Sequence, residues 1–536
     1  MTDQPKYSSA TVLLPLLLAA VMAGGYFLGT LQEVTSVTNF SNEKQDLIKL
    51  NRVLNEIEVK YVDSISSDQL VETSIGGILQ NLDPHSSYIP AKDLSNMDEP
   101  LKGGFGGIGI RFMILRDTLI VTNVIDGGPS ERQGILPGDR IVKIDGNKIT
   151  DIDLSNDDVF SQLKGQINTP VTITVYRFSR NQFVDFDILR GLVPIKSIES
   201  AQIIAPRVGF IKLARFAETT PVEFDMAVKK LINNGMEKLI LDLRDNGGGY
   251  LQPAVQLTDQ FLKKGKMIVY TDGRHNGRFD NISTQDGRLL DTELVVLINE
   301  NSASASEIVS GAIQDNDRGI IMGRRSYGKG LVQEPIALSD GSAIRLTVAR
   351  YYTPSGRCIQ KPYGQGIDYS ADYLDRYENG EFYSIDSTKL SELEQFKTVG
   401  GRIVYGGGGI LPDVFIPLDT IGNSAFLAAL TYSPVFSEFA FNYVDQNRKA
   451  LNRNRNAQDF AMTFDISDKI FKQFIDFAQN THDINPSNYG IKASKERIKT
   501  RLRIQIASNV WGDDGRYAVL VQRDPEIIRA IEEISK

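Results

Sequence analysis

Two nearly unbroken apolar runs limit the folds open to this chain. KLILDLR (Lys238 to Arg244) leads straight into the turn Asp245-Asn246-Gly247-Gly248-Gly249, and ELVVLIN (Glu293 to Asn299) leads into SASASE and the apolar-periodic IVSGAIQD. Short apolar runs bounded by turn residues read as buried strands, and their alternation with helical segments from 191 to about 420 predicts an α/β domain. The serines Ser302, Ser304 and Ser306 therefore fall at a strand-to-helix junction. Free N–H groups and the helix dipole make such a place suitable for an oxyanion. The pattern Ser304-x-x-Glu307 also fits a capping box, which satisfies helix donors and does no chemistry.

A serine nucleophile needs a base. The chain has three histidines, His85, His275 and His482, and only His85, in LDPHSSY, lies within a motif. A lysine serves instead if burial lowers its pKa toward neutrality. Lys329, in RRSYGKGLVQ, is the candidate. Gly323-x-x-x-x-Gly328-Lys329 also approaches a phosphate-binding loop, but Gly330 stands where Ser or Thr must hold magnesium, and the strand-like LVQEPIAL follows where a helix is required.

A chain of 536 residues exceeds a single compact core and predicts several domains. No charge occurs between Lys6 and Glu33, and Ala10 to Gly29 matches the roughly 20 residues that cross a hydrocarbon core. Residues 1–36 are therefore expected to be a short cytoplasmic tail and an uncleaved transmembrane anchor, with the remainder outside the cytoplasm. Residues 37–100 read as a small helical unit, in which Leu47, Leu50, Leu54, Ile57 and Tyr61 form one stripe that needs a partner within the chain or in a second copy. Residues 101–190 are rich in short strands and glycine turns. The stretch GPSERQGILPGDRIVKIDGNKI resembles a PDZ domain. That resemblance implies that the backbone of Gly107, Ile108, Gly109 and Ile110 receives a peptide's terminal carboxylate, while the peptide adds as a strand. Residues 421–536 are helix-prone and carry no recognisable chemical motif. The net charge of -8 gives no general attraction to nucleic acid, and one cysteine, Cys358, permits neither an internal disulfide nor a multi-cysteine metal site.

Taken in order, LDLRDNGGG, NSASASEIVSGAIQD, YGKGLVQ, YYTPSGR and GGILPDV behind a PDZ-like module closely resemble the carboxyl-terminal processing peptidases, or tail-specific proteases. The resemblance covers about 40–420. It implies a peptidase core of the ClpP/crotonase-like type at 191–420, interrupted by an insertion at 364–401. It also implies Ser304 as nucleophile, Lys329 as base and Gln333 as the residue orienting the lysine. The oxyanion would be held by the backbone N–H of Ala305 and of Gly248 or Gly249. Ser302 and Ser306 remain open as nucleophiles. No cofactor is implied. The expected partners are proteins or peptides with free C-terminal tails, the membrane through the anchor, and a second copy or an activating protein. The expected location is a bacterial inner membrane, with the catalytic part in the periplasm. A non-catalytic tail-binding adaptor or chaperone on the same scaffold is the alternative.

Overall fold

The computed structural model describes residues 19, 21–23, 45–150, 152–385 and 393–536. The expected anchor lies almost entirely outside the described residues, among which no helix is long and apolar enough to cross a membrane.

The centre is a six-stranded sheet in the order Ile198–Ala205, Val208–Leu213, Lys238–Asp242, Glu293–Ile298, Ile320–Gly323, Val414–Phe415. Only the first pair is antiparallel. Side chains alternate across a strand, so each apolar run has two faces to bury. Leu239, Leu241, Val296 and Ile298 pack toward the helices Thr220–Asn233, Leu251–Asp259 and Ala305–Asp315. Ile240, Val295, Leu297 and Met322 face the other way, onto Tyr517, Val521 and the helix Pro525–Ile534. These side chains are almost wholly withdrawn from water, each contributing on the order of 2 kcal/mol. The parallel strands Lys238–Asp242, Glu293–Ile298 and Ile320–Gly323 finish at one edge of the sheet, and their exit turns are neighbours there.

A second sheet pairs Ala343–Tyr352 with Leu331–Ala337 along one side. Along its other side it takes Met267–Gly273 and Ser87–Ile89. The last of these strands follows the helix Ser67–Gln80, which stops ahead of Asp83-Pro84, and carries the N-terminal unit into the core. Residues 45–60 are helical, but their apolar stripe finds little cover among the described residues. Leu47 is 62% and Leu50 41% exposed, while Leu54 and Ile57 are half-buried.

Residues 110–189 form a sheet of their own with Ile110–Leu115 as an edge strand, closed by the helix Asn156–Leu163 over Leu119, Val121, Ile141 and Ile173. Within the insertion the described residues form the helix Asp372–Glu378 and the strand Gln395–Lys397, which pairs with Ile403–Tyr405. The C-terminal region is helical as expected, with an aromatic core including Phe436, Phe439, Phe460 and Phe474. Its long helix Asn488–Leu520 kinks at Gly512 (φ 59°, ψ -139°). Beside the kink, Asp513 takes a two-pronged ion pair from Arg111 of the edge strand at 2.9 and 2.6 Å.

Candidate active site

The serine cluster leaves the strand Glu293–Ile298 and enters the helix Ala305–Asp315 as the sequence suggests. Ser302 and Ser306 are fully buried, and both hydroxyls are committed to backbone: Ser302 Oγ donates to Leu243 O at 2.8 Å and Ser306 Oγ to Asn246 O at 2.8 Å. Ser304 is half-buried and sits at φ 56°, ψ -113°, a conformation that costs a non-glycine residue roughly 1–3 kcal/mol. The capping box exists in outline, since the Ser304 N–H donates to Glu307 Oε2 at 2.8 Å. In its other half the Glu307 N–H faces the Ser304 side chain, while its short hydrogen bond, at 2.8 Å, goes to the Ser304 carbonyl. Of the three hydroxyls, that of Ser304 is the one left available.

Glu307 does far more than cap. Its fully buried carboxylate receives the Ser304 and Lys329 N–H groups on one oxygen, at 2.8 and 2.9 Å. The other oxygen takes the Ser326 hydroxyl at 2.6 Å and the Gly328 N–H at 2.7 Å. One carboxylate thus staples the lysine loop to the serine turn. Tyr351 adds a second staple, its hydroxyl reaching the carbonyls of both Ser304, at 3.0 Å, and Lys329. Burial pushes the Glu307 carboxyl up to about 7 against the pull of its four donors.

Lys329 is half-buried, and its ammonium donates to Gln333 Oε1 at 3.1 Å. Burial first, and the Arg345 guanidinium second, lower its pKa from the ordinary lysine value, while Glu307 and Asp83 act in the opposite direction. Gln333 is oriented in turn by donating its amide to the carbonyl of His85. That carbonyl is placed by the N-terminal unit. Asp83 accepts from the His85 and Ser86 N–H groups at 2.8 and 2.9 Å and from the Thr347 hydroxyl at 3.1 Å, tying the turn to the strand Ala343–Tyr352. The His85 ring bonds Tyr369 Oη at 2.9 Å. Burial, with Lys329 next, depresses its pKa to about 4, so this histidine is neutral at ordinary pH.

The glycine turn closes the other side. A Cβ on Gly248 (φ 103°) would lie 2.8 Å from Ser304 Cβ and 3.0 Å from Ala305 N, so only glycine lets the turn approach the serine this closely. Gly249 (φ 145°) is held as tightly, with Phe216 O 2.1 Å from where a Cβ would stand. The Gly248 N–H is used by Asn246 Oδ1 at 2.9 Å. Among the described residues no acceptor takes the N–H of Ala305 or Gly249. Gly248→Ala is expected to displace the Ser304 backbone and to slow labelling of Ser304 by a fluorophosphonate about a hundred-fold, read by intact mass against time.

The structure thus gathers Ser304, Lys329, Gln333, Ala305, Gly248 and Gly249 at one sheet edge. Gly107, Ile108, Gly109 and Ile110 lie elsewhere, at the entry to the edge strand of the β-rich module. There the Ile108 and Gly109 carbonyls point inward, accepting from Ser130 at 2.8 Å and Ile125 at 3.0 Å. Their N–H groups have no acceptor among the described residues. Phe112 of the edge strand meets Phe160 of the helix Asn156–Leu163 with ring centres 5.4 Å apart, so an apolar wall lies beside that loop.

Four family models match successive parts of the chain. They are the activating protease CtpB N-terminal domain at 27–93, a PDZ domain at 106–188, peptidase family S41 at 207–370 and a family of unknown function at 426–512. A carboxy-terminal-processing protease of Bartonella bacilliformis is 36% identical over 376 residues, which span 69% of this chain and 84% of that protein. A Staphylococcus aureus protein described as "Probable CtpA-like serine protease" is 34% identical over 329 residues, 60% of this chain and 64% of its own length. A solved photosystem II D1 C-terminal processing protease is 27% identical, covering 58% of this chain and 89% of its own, with a TM-score of 0.34.

Proposed function

The chain belongs to the carboxy-terminal-processing family of serine proteases and carries a PDZ domain, and from that premise we propose that it is a Ser-Lys endopeptidase that captures its substrates by their C-terminal tails. Ser304 Oγ attacks a peptide carbonyl carbon, and Lys329 in its neutral form takes the hydroxyl proton. The C–N bond breaks as Lys329 returns that proton to the leaving amine, and water then hydrolyses the acyl ester on Ser304. Gln333 keeps the lysine nitrogen in register. The N–H of Ala305 and a glycine N–H face the developing oxyanion. Gly249, whose N–H is unspent, suits that role better than Gly248.

The observation that carries this reading is the shared oxygen of Glu307, which brings the Ser304 and Lys329 backbones together while both flanking serines are committed elsewhere. The N–H groups of Ile108 and Gly109 are available for a terminal carboxylate, with those of Gly107 and Ile110 flanking them, and the adjoining edge strand is open to a peptide strand. The substrates are extracytoplasmic proteins, and the uncharged stretch Ala10 to Gly29 holds the enzyme at a bacterial inner membrane with its peptidase in the periplasm. A second copy or an activating protein completes the set of partners.

The test uses the full chain in detergent with an unstructured protein ending in an apolar tail, supplied with a free or an amidated C-terminus. Products are read by mass spectrometry. Cleavage is expected, with an advantage of about tenfold for the free tail. Tail binding without cleavage by the folded parent would favour a non-catalytic adaptor, or a protease waiting for its activating protein.

A further inference from the structure

The helix Pro525–Ile534 begins directly beneath the catalytic edge of the central sheet, and its first residues reach two buried arginines. Asp524 accepts from Arg244 Nη1 at 3.1 and 3.0 Å through its two oxygens. Glu526 accepts from Arg324 Nη1 at 2.7 Å and faces Arg244 Nη1 across 3.2 Å. Both arginines are nearly inaccessible, at 9% and 3% exposed. Each also has a partner on the sheet itself. Arg244 pairs with Asp242 at 2.7 Å, and Arg324 with Glu300 at 2.8 Å.

The places of these residues along the chain give the contact its meaning. Arg244 stands in LDLRDNGGG just ahead of Asn246 and Gly248, and Arg324 opens the loop that ends at Lys329. Glu300 sits in the turn that presents Ser304. All three exit turns therefore bear on the two C-terminal carboxylates through a pair of rigid, forked guanidinium groups. The peptidase match ends at 370 and the match of unknown function at 512, so both carboxylates lie outside these two regions.

We propose that Asp524 and Glu526 are positioning residues of the peptidase site: acting through Arg244 and Arg324, they fix the glycine turn and the lysine loop relative to each other and to Ser304. The activity part of this inference rests on the Ser-Lys reading. Loss of either carboxylate leaves each arginine a partner on the sheet, so the fold survives while the restraint on the turns is lost. Asp524 also caps its helix, accepting the N–H groups of Glu526 at 2.9 Å and Ile527 at 3.1 Å. Asparagine caps equally well. Asp524→Asn therefore removes the charge facing Arg244 and keeps the cap.

The experiment compares the full parent chain with Asp524→Asn and Glu526→Gln by steady-state kinetics on a free-tailed substrate and by amide hydrogen exchange. The expected result is a fall in kcat of about tenfold with KM unchanged. Exchange should rise in 244–250 and 324–330 while the helix Thr220–Asn233 keeps its protection. Retained kcat with unchanged exchange in both turns overturns the proposal. So does a loss of activity that follows a general rise in exchange across the core, because the helix would then be a stabilising element only. If the parent alone does not cleave, the kinetic comparison lapses, and exchange in the two turns alone decides whether the carboxylates position them.

Discussion

Replacing Ser304 by alanine is expected to lower kcat by at least about a thousand-fold with little change in tail binding or melting temperature, and Lys329→Ala is expected to do nearly the same. The reason is the division of labour at the site. In the proposed mechanism Ser304 supplies the bond-forming oxygen, and no neighbouring hydroxyl can substitute, because Ser302 and Ser306 are buried and bonded to backbone. In the same proposal Lys329 supplies the proton transfer, and His85 cannot replace it, because its ring is engaged by Tyr369. Since the two residues act on one proton, the double variant is expected to be scarcely worse than either single one. The pH profile follows from the same chemistry. Only neutral Lys329 accepts a proton, so kcat/KM should climb with rising pH along a limb centred below the ordinary lysine pKa, as burial dictates. Kinetics of the parent between pH 5 and 10, beside both single variants and the double variant, check all three statements. Undiminished cleavage by Ser304→Ala would remove Ser304 from the mechanism.

The second large effect is expected at a residue that touches no substrate. Glu307→Gln preserves shape and hydrogen-bonding atoms, yet its NH2 group must face either the Ser304 and Lys329 N–H pair or the Ser326 and Gly328 donors. Donors then oppose donors in a buried site, at about 1–3 kcal/mol for each one left unmet. The serine turn and the lysine loop separate in consequence. The expected result is a fall in kcat of about a hundred-fold or more above about pH 7, where the parent carboxylate is ionised, with KM for the tailed substrate nearly unchanged.

The parent should mimic this variant on acidification, because the Glu307 carboxyl titrates near 7. Its folded pKa lies above that of an unfolded glutamate. The stability it contributes is therefore complete below about 4.5 and is lost as pH rises through about 7. Between those values the protein should become slightly less stable while becoming more active, and Glu307→Gln should abolish that share of the pH dependence. Urea midpoints measured across the window beside kcat would show the opposed trends, and parallel trends would count against the staple.

The elements that carried chemistry could be read from the sequence because their residue types and their turns coincide. Apolar runs ending in NGGG and SASAS can only be strands delivering turns, and GKG ahead of a strand marks a lysine that is not on a helix. Glu307 was legible only as a cap, because a cap and a staple share the same spacing; the difference lies in Ser326, Gly328 and Lys329, which arrive from another loop. The support from His85 could not be read at all, since it comes from a backbone carbonyl, which every residue possesses. PEIIRAIEEISK showed a helix and no motif, because the arginines that give Glu526 its meaning lie some two hundred residues away or more. Periodicity put Leu47 to Tyr61 on one helical stripe; the helix at 45–60 stops short of Tyr61, and among the described residues little covers the stripe.

The docking of Pro525–Ile534 on the central sheet also sets the order in which this molecule can mature. The strands Lys238–Asp242 and Glu293–Ile298 are synthesised long before the residues that cover one of their faces. A growing chain therefore carries Ile240, Val295, Leu297 and Met322 as an open apolar surface until residues 517–534 emerge. The same late segment brings Asp524 and Glu526 to the catalytic turns. On the proposal that these carboxylates position the site, a nascent chain that already holds Ser304 and Lys329 is still unfinished, and a chain interrupted before residue 524 keeps that apolar face open to water.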